Sequence, residues 1–449
     1  MMIRLLTTVP PPSNIDGRAE RDRLMPQAAI RVLMFLVLAF AMAIVPMSPS
    51  AARTAGKRVL TGAAQVVASD FSVFAGKRVG LITNQTGVVG DTHLADLMAA
   101  SSNIKLAGIY APEHGFRGGA EAGVKFDNTV DGKTGVQIFS LYGKTRKPTR
   151  AMLQGIDVMV FDIQDVGARF YTYISTMGLA MQAAAEAGIP FVVLDRPNPL
   201  GGDYVSGYVL EKRHKSFVGQ YPIPIVHGLT VGELAQMIVG ENYLPGLAGI
   251  DLKVVRLQGW QRTMRWDEVD LEWISPSPNI PTFISALVYP GIGVVGMTTL
   301  NEGRGTAVPF SRFGAPWVDH EVIARQLNDA GLPGVTFKPV TYVPRSIPNV
   351  ALDPAYRGKK VNGIEIEVTD VARYLPLEVG MYAMALMRDH ARTKGGRQFF
   401  KNLRMFHLIA GTRRFHNDLK AGKSAAAIIE SWSGEVARFR QHRAKYLLY

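Results

Sequence analysis

The stretch DVMVFDIQDVGARFYTYIS, residues 157–175, changes character halfway along its length. Residues 158–163 form a short apolar run, rich in β-branched and aromatic side chains, that predicts a buried β-strand. Acids, an amide, an arginine and tyrosines follow directly. Because open α/β sheets bind ligands at the carboxyl ends of their strands, this pattern predicts a ligand crevice. The alternative interpretation is a helix whose first turn carries acids that suit the helix dipole.

Strand-like and helix-like segments alternate on both sides of this stretch. Further strands are predicted over residues 78–83, 105–110, 136–140, 191–195, 223–226 and 252–257. Helices are predicted over residues 92–100, 176–187 and 231–239. Alternation of this kind predicts an α/β fold with a parallel, doubly wound sheet.

A passage rich in proline and glycine, residues 275–316, interrupts the alternation. We therefore predict a domain boundary there, with an N-terminal domain over residues 57–290 and a C-terminal domain over residues 291–449. The second domain has a mixed α+β pattern. Its predicted strands cover residues 335–340 and 363–368, and its predicted helices are residues 377–391 followed by two more before the last residue.

Residues 1–52 have the pattern of an export leader. Arg18, Arg21, Arg23 and Arg31 precede the apolar run VLMFLVLAFAMAIVPM, residues 32–47, and Ser50, Ala51 and Ala52 form a small-residue cleavage site. The run is short for a membrane span. An uncleaved N-terminal anchor is the alternative. In either case we expect an exported protein, located in the periplasm or outside the cell.

The charge of the chain is concentrated near its C-terminus. The formal net charge is +13, and residues 392–449 contain thirteen Lys or Arg against three Asp or Glu. In an exported protein, such a segment favours association with an anionic envelope polymer or lipid surface over nucleic acid. Ordinary solvated helix faces are the alternative. The absence of cysteine excludes disulfides and a cysteine nucleophile.

Polar residues follow four of the predicted strands and recur on the boundary passage. Because these strand ends share one edge of the sheet, we expect the side chains to form a single polar crevice. The candidate site residues are Glu113, His114, Arg117, Asp162, Gln164, Asp165, Arg169, Tyr171, Tyr173, Asp195, Arg196, Asn198, His227, Asn279, Glu302 and Arg304.

Several common chemistries lack their sequence motifs. The chain has no G-x-G-x-x-G after its first strand, no phosphate-binding lysine loop, no G-x-S-x-G and no H-E-x-x-H. Its nine histidines are scattered, so neither a cofactor nor a metal site is expected. Carboxylates, arginines and tyrosines remain. Such a set suits acid–base cleavage of a glycosidic or related bond.

Seven motifs together resemble one family, the exo-β-N-acetylmuramidases, which are glycoside hydrolases of peptidoglycan recycling. The motifs are GLITNQTGV (80–88), PEHGFRG (112–118), FDIQDVGARFYTYISTM (161–177), VLDRPNPLGG (193–202), SPSPNIPT (275–282), NEGRGT (301–306) and KYLLY (445–449). The resemblance implies a Rossmann-like N-terminal domain, a distinct C-terminal domain and an active site in the cleft between them. It also implies release of terminal N-acetylmuramic acid from the non-reducing end of peptidoglycan-derived saccharides, without a cofactor.

The residues of this chain suit that substrate. Glu113 is the candidate general acid, because desolvation at a strand end raises the pKa of a carboxyl group. Glu302, Asp165 and Asp162 are the candidates for the second catalytic group, which acts as base, nucleophile or stabiliser of the positive charge. The 2-acetamido group of the substrate is a further candidate, as an internal nucleophile. An arginine is needed for the lactyl carboxylate, and the candidates are Arg169, Arg196 and Arg304. A non-catalytic saccharide-binding protein that uses the same cleft is the alternative function.

Overall fold

A mostly parallel sheet organises the first part of the chain. The computed structural model describes residues 59–118, 127–394 and 398–449, so the predicted leader lies outside the described residues. The strands of this part are β1 (Arg78–Thr83), β2 (Val88–Val89), β3 (Thr92–His93), β4 (Lys105–Ala111), β5 (Thr129–Val130), β6 (Gln137–Ser140), β7 (Val158–Asp162), β8 (Phe191–Leu194) and β9 (Leu252–Val255). Strands β2 and β3 form a separate small hairpin.

The central sheet has seven strands in the order β5-β6-β4-β1-β7-β8-β9. Strand β5 is antiparallel to β6, and the other neighbours are parallel. The six parallel strands therefore follow the doubly wound order 3-2-1-4-5-6, in which the chain reverses direction across the sheet between β1 and β7. The predicted Rossmann-like sheet is confirmed.

Strand β7 is buried along its whole length because helices cover both faces of the sheet. Met159 and Phe161 point into one core layer, and Val158 and Val160 point into the other. Helices α1 (Gly62–Ala68) and α2 (Leu94–Ala100) lie on the valine side, and α3 (Tyr173–Ala187) and α4 (Val231–Gly240) lie on the opposite side. Full burial of each such side chain contributes about 1.5–3 kcal/mol.

The second part of the chain is mixed α+β, as predicted. A three-stranded antiparallel sheet has the order β10-β12-β11. Its strands are β10 (Arg312–Ala315), β11 (Val335–Tyr342) and β12 (Val361–Val368). The helices of this part are α5 (Phe283–Ile292), α6 (His320–Asp329), α7 (Pro376–Thr393), α8 (Leu403–Ala410), α9 (Arg414–Lys420), α10 (Ala425–Glu430) and α11 (Ser433–Arg443).

Helices α5 and α7 approach closely where two glycines meet. A Cβ atom on Gly380 would come within 2.4 Å of the carbonyl oxygen of Gly291, so a larger residue there would force the helices apart. The apolar core that surrounds α5 and α7 is continuous with the core beneath α3 and α4. The domain boundary at residue 290 stays a prediction.

Three predicted elements differ from the structure. Residues 223–226 form no strand, because Pro224 lacks the N–H group that a strand ladder needs and only isolated bridges occur at Val226. Helix α2 begins at Leu94, since the two residues before it pair with β2. Four helices, not two, follow α7 within the described residues. In those residues, no helix is both long and apolar enough to cross a bilayer.

The C-terminal segment returns to the first part of the chain. Tyr449 donates a 2.6 Å hydrogen bond to Oδ2 of Asp195, the residue that follows β8. Its phenolic oxygen also accepts a 2.8 Å hydrogen bond from the backbone N–H of Leu257. Arg443 donates to the carbonyl of His227 at 2.9 Å. The segment therefore fastens the C-terminal helices to one edge of the central sheet.

Candidate active site

A cavity of about 350 Å³ brings together candidate residues from both parts of the chain. We call it the central cavity. Glu113 and Tyr171 reach it from segments that follow β4 and β7. Asn279 and Arg304 reach it from the proline- and glycine-rich passage, and residues of α8 close one side. The cavity therefore lies where the carboxyl ends of the parallel strands face the second part, as expected for a doubly wound sheet.

Glu113 is held on a tight turn beside the N-terminus of a helix. The turn requires positive φ angles at His114 (+73°) and Gly115 (+80°). Oε2 of Glu113 accepts a 2.9 Å hydrogen bond from the hydroxyl of Thr172, the residue immediately before α3. That hydroxyl makes no capping bond to the helix backbone. The half-buried carboxylate of Glu113 therefore lies near the positive end of the α3 dipole.

Tyr289, on α5, joins the polar residues of the central cavity. Its ring packs edge-on against Phe310 at 4.8 Å and Phe170 at 5.1 Å. Burial raises the pKa of its hydroxyl, the Arg304 guanidinium opposes that rise, and the carboxylates of Glu113 and Asp165 add to it. Tyr289 thus keeps its proton at neutral pH and serves as a hydrogen-bond donor.

Glu302 and Arg304 form an ion pair on the loop before β10. Nε of Arg304 lies 3.3 Å from Oε1 of Glu302, whose side chain is almost buried. Gly303 has a φ angle of +82°, and its N–H donates a 2.8 Å hydrogen bond to Oδ1 of Asn301, which holds the turn. Arg304 lines the cavity, and its charge is largely compensated by Glu302.

Asn279 supplies an amide at the cavity wall. Its Nδ2 donates a 2.7 Å hydrogen bond to the carbonyl of Val350, which fixes the side chain. Its buried Oδ1 has no hydrogen-bond partner among the described residues. An acceptor fixed in this way suits a substrate hydroxyl or amide group.

Asp165 does not line the cavity but lies within electrostatic range of two tyrosines that do, Tyr171 and Tyr289. Burial raises the pKa of Asp165 to about 7, although hydrogen bonds from the backbone of Gly167 and Val166 oppose the shift. Its Oδ2 is buried and has no hydrogen-bond partner among the described residues. The carboxyl group is thus poised to change its protonation near neutral pH.

Two of the arginines predicted to bind the lactyl carboxylate are engaged elsewhere. Arg169 is fully buried, and it donates to the carbonyls of Tyr208 (2.7 Å), Ile223 (2.9 Å) and Ile409 (2.9 Å). Arg196 forms a bidentate pair with Asp162 at 2.6 and 2.9 Å. Both guanidinium groups hold the protein together, and the geometry does not support a substrate contact by either.

Asp162 and Gln164 also lie outside the central cavity. Asp162 is fully buried and forms an ion pair with Arg196. Gln164 borders a separate crevice together with Arg196, and its Nε2 donates to the carbonyls of Asp165 and Pro197, both at 2.8 Å.

The remaining candidates hold loops and segments in place. Asp195 accepts from Thr230, Gly232 and Tyr449, and Asn198 donates to the carbonyl of Leu229. His227 is buried, which lowers its pKa to about 3 and keeps it neutral. Arg117 pairs with Asp131 and Asp96. Tyr173 donates to the carbonyl of Pro276 at 2.5 Å and so anchors the segment that carries Asn279.

The cavity lining includes polar residues that were not among the sequence-based candidates, four of which reach it from identifiable elements or loops. Thr172 immediately precedes α3, Tyr289 lies in an apolar helix, and Tyr142 and Arg146 lie on the loop after β6. Tyr142 lies within electrostatic range of Glu113, and burial and the charge of that carboxylate raise the pKa of Tyr142. The position of the 141–146 loop after a parallel strand was the one sequence signal that could have found Tyr142 and Arg146.

In residues 59–118, 127–394 and 398–449, no group of three or more His, Asp or Glu side chains is arranged to hold a metal ion. The cavity instead offers a half-buried carboxylate, fixed hydrogen-bond donors and acceptors, and aromatic walls. Such a set can protonate a leaving oxygen and bind a sugar against its rings.

Two family models and a curated relative match this chain. The model described as "Exo-beta-N-acetylmuramidase NamZ, N-terminal" matches residues 79–284, and its C-terminal counterpart matches residues 287–449. The peptidoglycan beta-N-acetylmuramidase NamZ of Bacillus subtilis (strain 168) is 41% identical over 377 residues. These cover 83% of this chain and 87% of the relative.

Two solved structures share the fold. Both are DUF1343 family proteins from Bacteroides fragilis NCTC 9343. The first has a TM-score of 0.78 and 38% identity, and the second a TM-score of 0.70 and 36% identity. Each match covers 87% of this chain and 99% of the other chain. The two family models together span nearly all of the described residues, so the chain belongs to the exo-β-N-acetylmuramidase family.

Proposed function

We propose that the protein is an exo-acting glycoside hydrolase that releases terminal N-acetylmuramic acid from the non-reducing ends of peptidoglycan fragments. The family membership and the B. subtilis relative support the reaction. The observation that carries the proposal is the position of Glu113. Its carboxylate lines the central cavity and is fixed by a hydrogen bond from Thr172.

Glu113 acts as the proton donor in this mechanism. Its protonated carboxyl group gives a proton to the glycosidic oxygen as the bond between that oxygen and the anomeric carbon breaks. The electron pair of the bond leaves with the oxygen, and the sugar becomes oxocarbenium-like. Water then adds to the anomeric carbon and loses a proton to a base. Tyr171 and Tyr289 present aromatic walls to the sugar ring.

Three groups are candidates for the base or nucleophile that acts together with Glu113. Burial raises the pKa of Asp165 to about 7, and Glu302 is paired with Arg304, which lines the cavity. The 2-acetamido group of the substrate is the third candidate, as an internal nucleophile. Retaining and inverting enzymes differ in the separation of their carboxyl groups, about 5 Å against about 6.5–9.5 Å. The anomer released first, followed by proton NMR, distinguishes inversion from the two retaining routes. Asp165→Asn and Glu302→Gln then separate the carboxylates from the acetamido group.

The decisive experiment offers the purified protein a chromogenic β-N-acetylmuramide and, as a control, the matching β-N-acetylglucosaminide. We expect release from the muramide alone. Tight saccharide binding without product over hours, with the protein folded, would favour the non-catalytic saccharide-binding alternative.

Export to the cell envelope is part of the proposal, and the leader pattern of residues 1–52 supports it. Fractionation of cells that express the full chain tests it, and an uncleaved anchor would retain the protein in the membrane fraction.

An anionic envelope polymer is proposed as a further partner, although some of the C-terminal basic residues are paired with acids within the fold. Arg414 pairs with Glu435, Lys423 with Asp418, and Lys445 with Glu241. Sedimentation with purified cell walls at low and high salt tests the proposal, because such binding weakens as salt screens the charges.

A further inference from the structure

Arg146 differs from the other cavity arginine in having no carboxylate to neutralise it. It lies on the loop after β6 and lines the central cavity. Among the residues that the structure describes, no acidic side chain forms an ion pair with it, whereas Arg304 is paired with Glu302. The exposed guanidinium of Arg146 is therefore the uncompensated positive charge at the mouth of the cavity.

Two aromatic rings hold this guanidinium in place. Its central carbon lies 4.2 Å from the ring centre of Phe217 and 5.9 Å from that of Tyr142. Both rings also line the cavity. Stacking on a ring face uses the flat side of a guanidinium and leaves its edge, which carries the N–H donors, free for a planar anion. The arrangement is thus suited to binding a carboxylate through two parallel hydrogen bonds.

The position of Arg146 links such an anion to the reacting bond. Tyr142, which lies beside Arg146, lines the same cavity as Glu113 and is within electrostatic range of it. An anion on Arg146 would therefore lie on the same side of the cavity as the proton donor. N-acetylmuramic acid differs from N-acetylglucosamine by a lactyl ether, and the carboxylate of that ether is ionised at neutral pH.

We propose that Arg146, stacked on Phe217 and flanked by Tyr142, binds the lactyl carboxylate of the substrate and sets the preference for muramic acid over N-acetylglucosamine. This inference rests on the proposed function. It assigns the recognition step to a residue outside the predicted trio of Arg169, Arg196 and Arg304. It also leaves Arg304 with a different task, which is to hold Glu302 at the edge of the cavity.

The test compares three chromogenic β-glycosides: the N-acetylmuramide with a free lactyl carboxylate, its uncharged lactyl carboxamide, and the N-acetylglucosaminide. We expect the wild-type protein to prefer the carboxylate to the carboxamide. In Arg146→Gln, KM for the carboxylate should rise about 10- to 100-fold, as expected for a lost charged hydrogen bond, while kcat changes little. The carboxamide should be hydrolysed as by the wild type. Arg146→Lys should restore part of the preference.

Lys144→Gln is the matched control, because it removes the same charge from an exposed position on the same loop that does not line the cavity. It should leave all three substrates unaffected. An active enzyme whose preference survives Arg146→Gln, or is lost in Arg304→Gln instead, would overturn the inference alone. A folded wild-type protein that cleaves none of the glycosides would overturn the proposed function and the inference with it.

Discussion

The hydroxyl of Thr172 donates a hydrogen bond to Oε2 of Glu113 at the point where a side chain would normally cap helix α3. The helix thus gives up a cap, which is typically worth about 1 kcal/mol, and the carboxylate gains a fixed orientation. Because α3 follows directly from the segment after β7, the central sheet determines where the candidate proton donor points.

Glu113→Gln should keep the fold and lose activity by about 10²- to 10⁴-fold, because the amide cannot donate a proton to the leaving oxygen. Steady-state kinetics on the chromogenic muramide provide the measurement. Glu186→Gln, an exposed substitution near the end of α3, is the control and should behave as the wild type. A Glu113→Gln variant that keeps more than about a tenth of the activity would remove Glu113 from this role.

Thr172→Val should lower kcat by about 10-fold, since it deletes a hydrogen bond to a charged group but keeps the shape of the side chain. Part of that loss should be absent in the Glu113→Gln background, where the bond no longer reaches a carboxylate. Fully additive effects in the double mutant would show that the two residues act independently.

Asp165 should make stability fall as pH rises from about 4 to about 7. Burial raises its pKa to about 7, so over this range the folded protein keeps a proton that the unfolded chain has lost. Asp165→Asn should flatten the pH dependence of the urea midpoint, with a remaining slope from Asp195, whose pKa burial raises to about 6. Asp353→Asn, at an exposed carboxylate, is the control. If the urea midpoint changed with pH equally in the wild type and in Asp165→Asn, the raised pKa of Asp165 would be contradicted.

Arg169→Met should destabilise the protein by at least about 2 kcal/mol, because the carbonyls of Tyr208, Ile223 and Ile409 lose their buried donor. The folded fraction should retain its KM for the muramide. Thermal unfolding and kinetics are measured beside Arg404→Met, an exposed control. A variant of normal stability with a raised KM would return Arg169 to the list of substrate ligands.

Tyr449→Phe should lower the free energy of unfolding by about 1–3 kcal/mol, since Asp195 and the N–H of Leu257 both lose a partner. Tyr382→Phe serves as the control, because the hydroxyl of Tyr382 makes no hydrogen bond in the described part of the chain. If Tyr449→Phe had the same free energy of unfolding in urea as the wild type, the contact would contribute nothing to stability.

The strands were predictable because apolar runs that end in polar residues dominate the first part of the chain. Strand β1 was predicted to the residue, and β7 within one residue. The strand predicted over residues 223–226 was wrong. The side chains there fit a strand, but Pro224 has no backbone N–H to donate to a neighbouring strand. The spacing of apolar residues describes only the side chains, whereas pairing between strands also requires backbone N–H donors.

The site was only partly predictable. The same polar side chain at a strand end can bind a substrate or hold the surrounding loops in place, and the sequence does not distinguish the two. Glu113 and Arg304 line the cavity, whereas Asp162 and Arg196 neutralise one another. Tyr289 was missed because it lies in an apolar helix whose position over the cavity depends on long-range packing.

The contact between Tyr449 and Asp195 joins residues that are 254 positions apart in the chain. A chain that ends at residue 290 therefore has a sheet whose β8 end lacks this partner. The two halves therefore complete one another, and an α/β fragment cut at the predicted boundary would carry an open, acid-bearing edge.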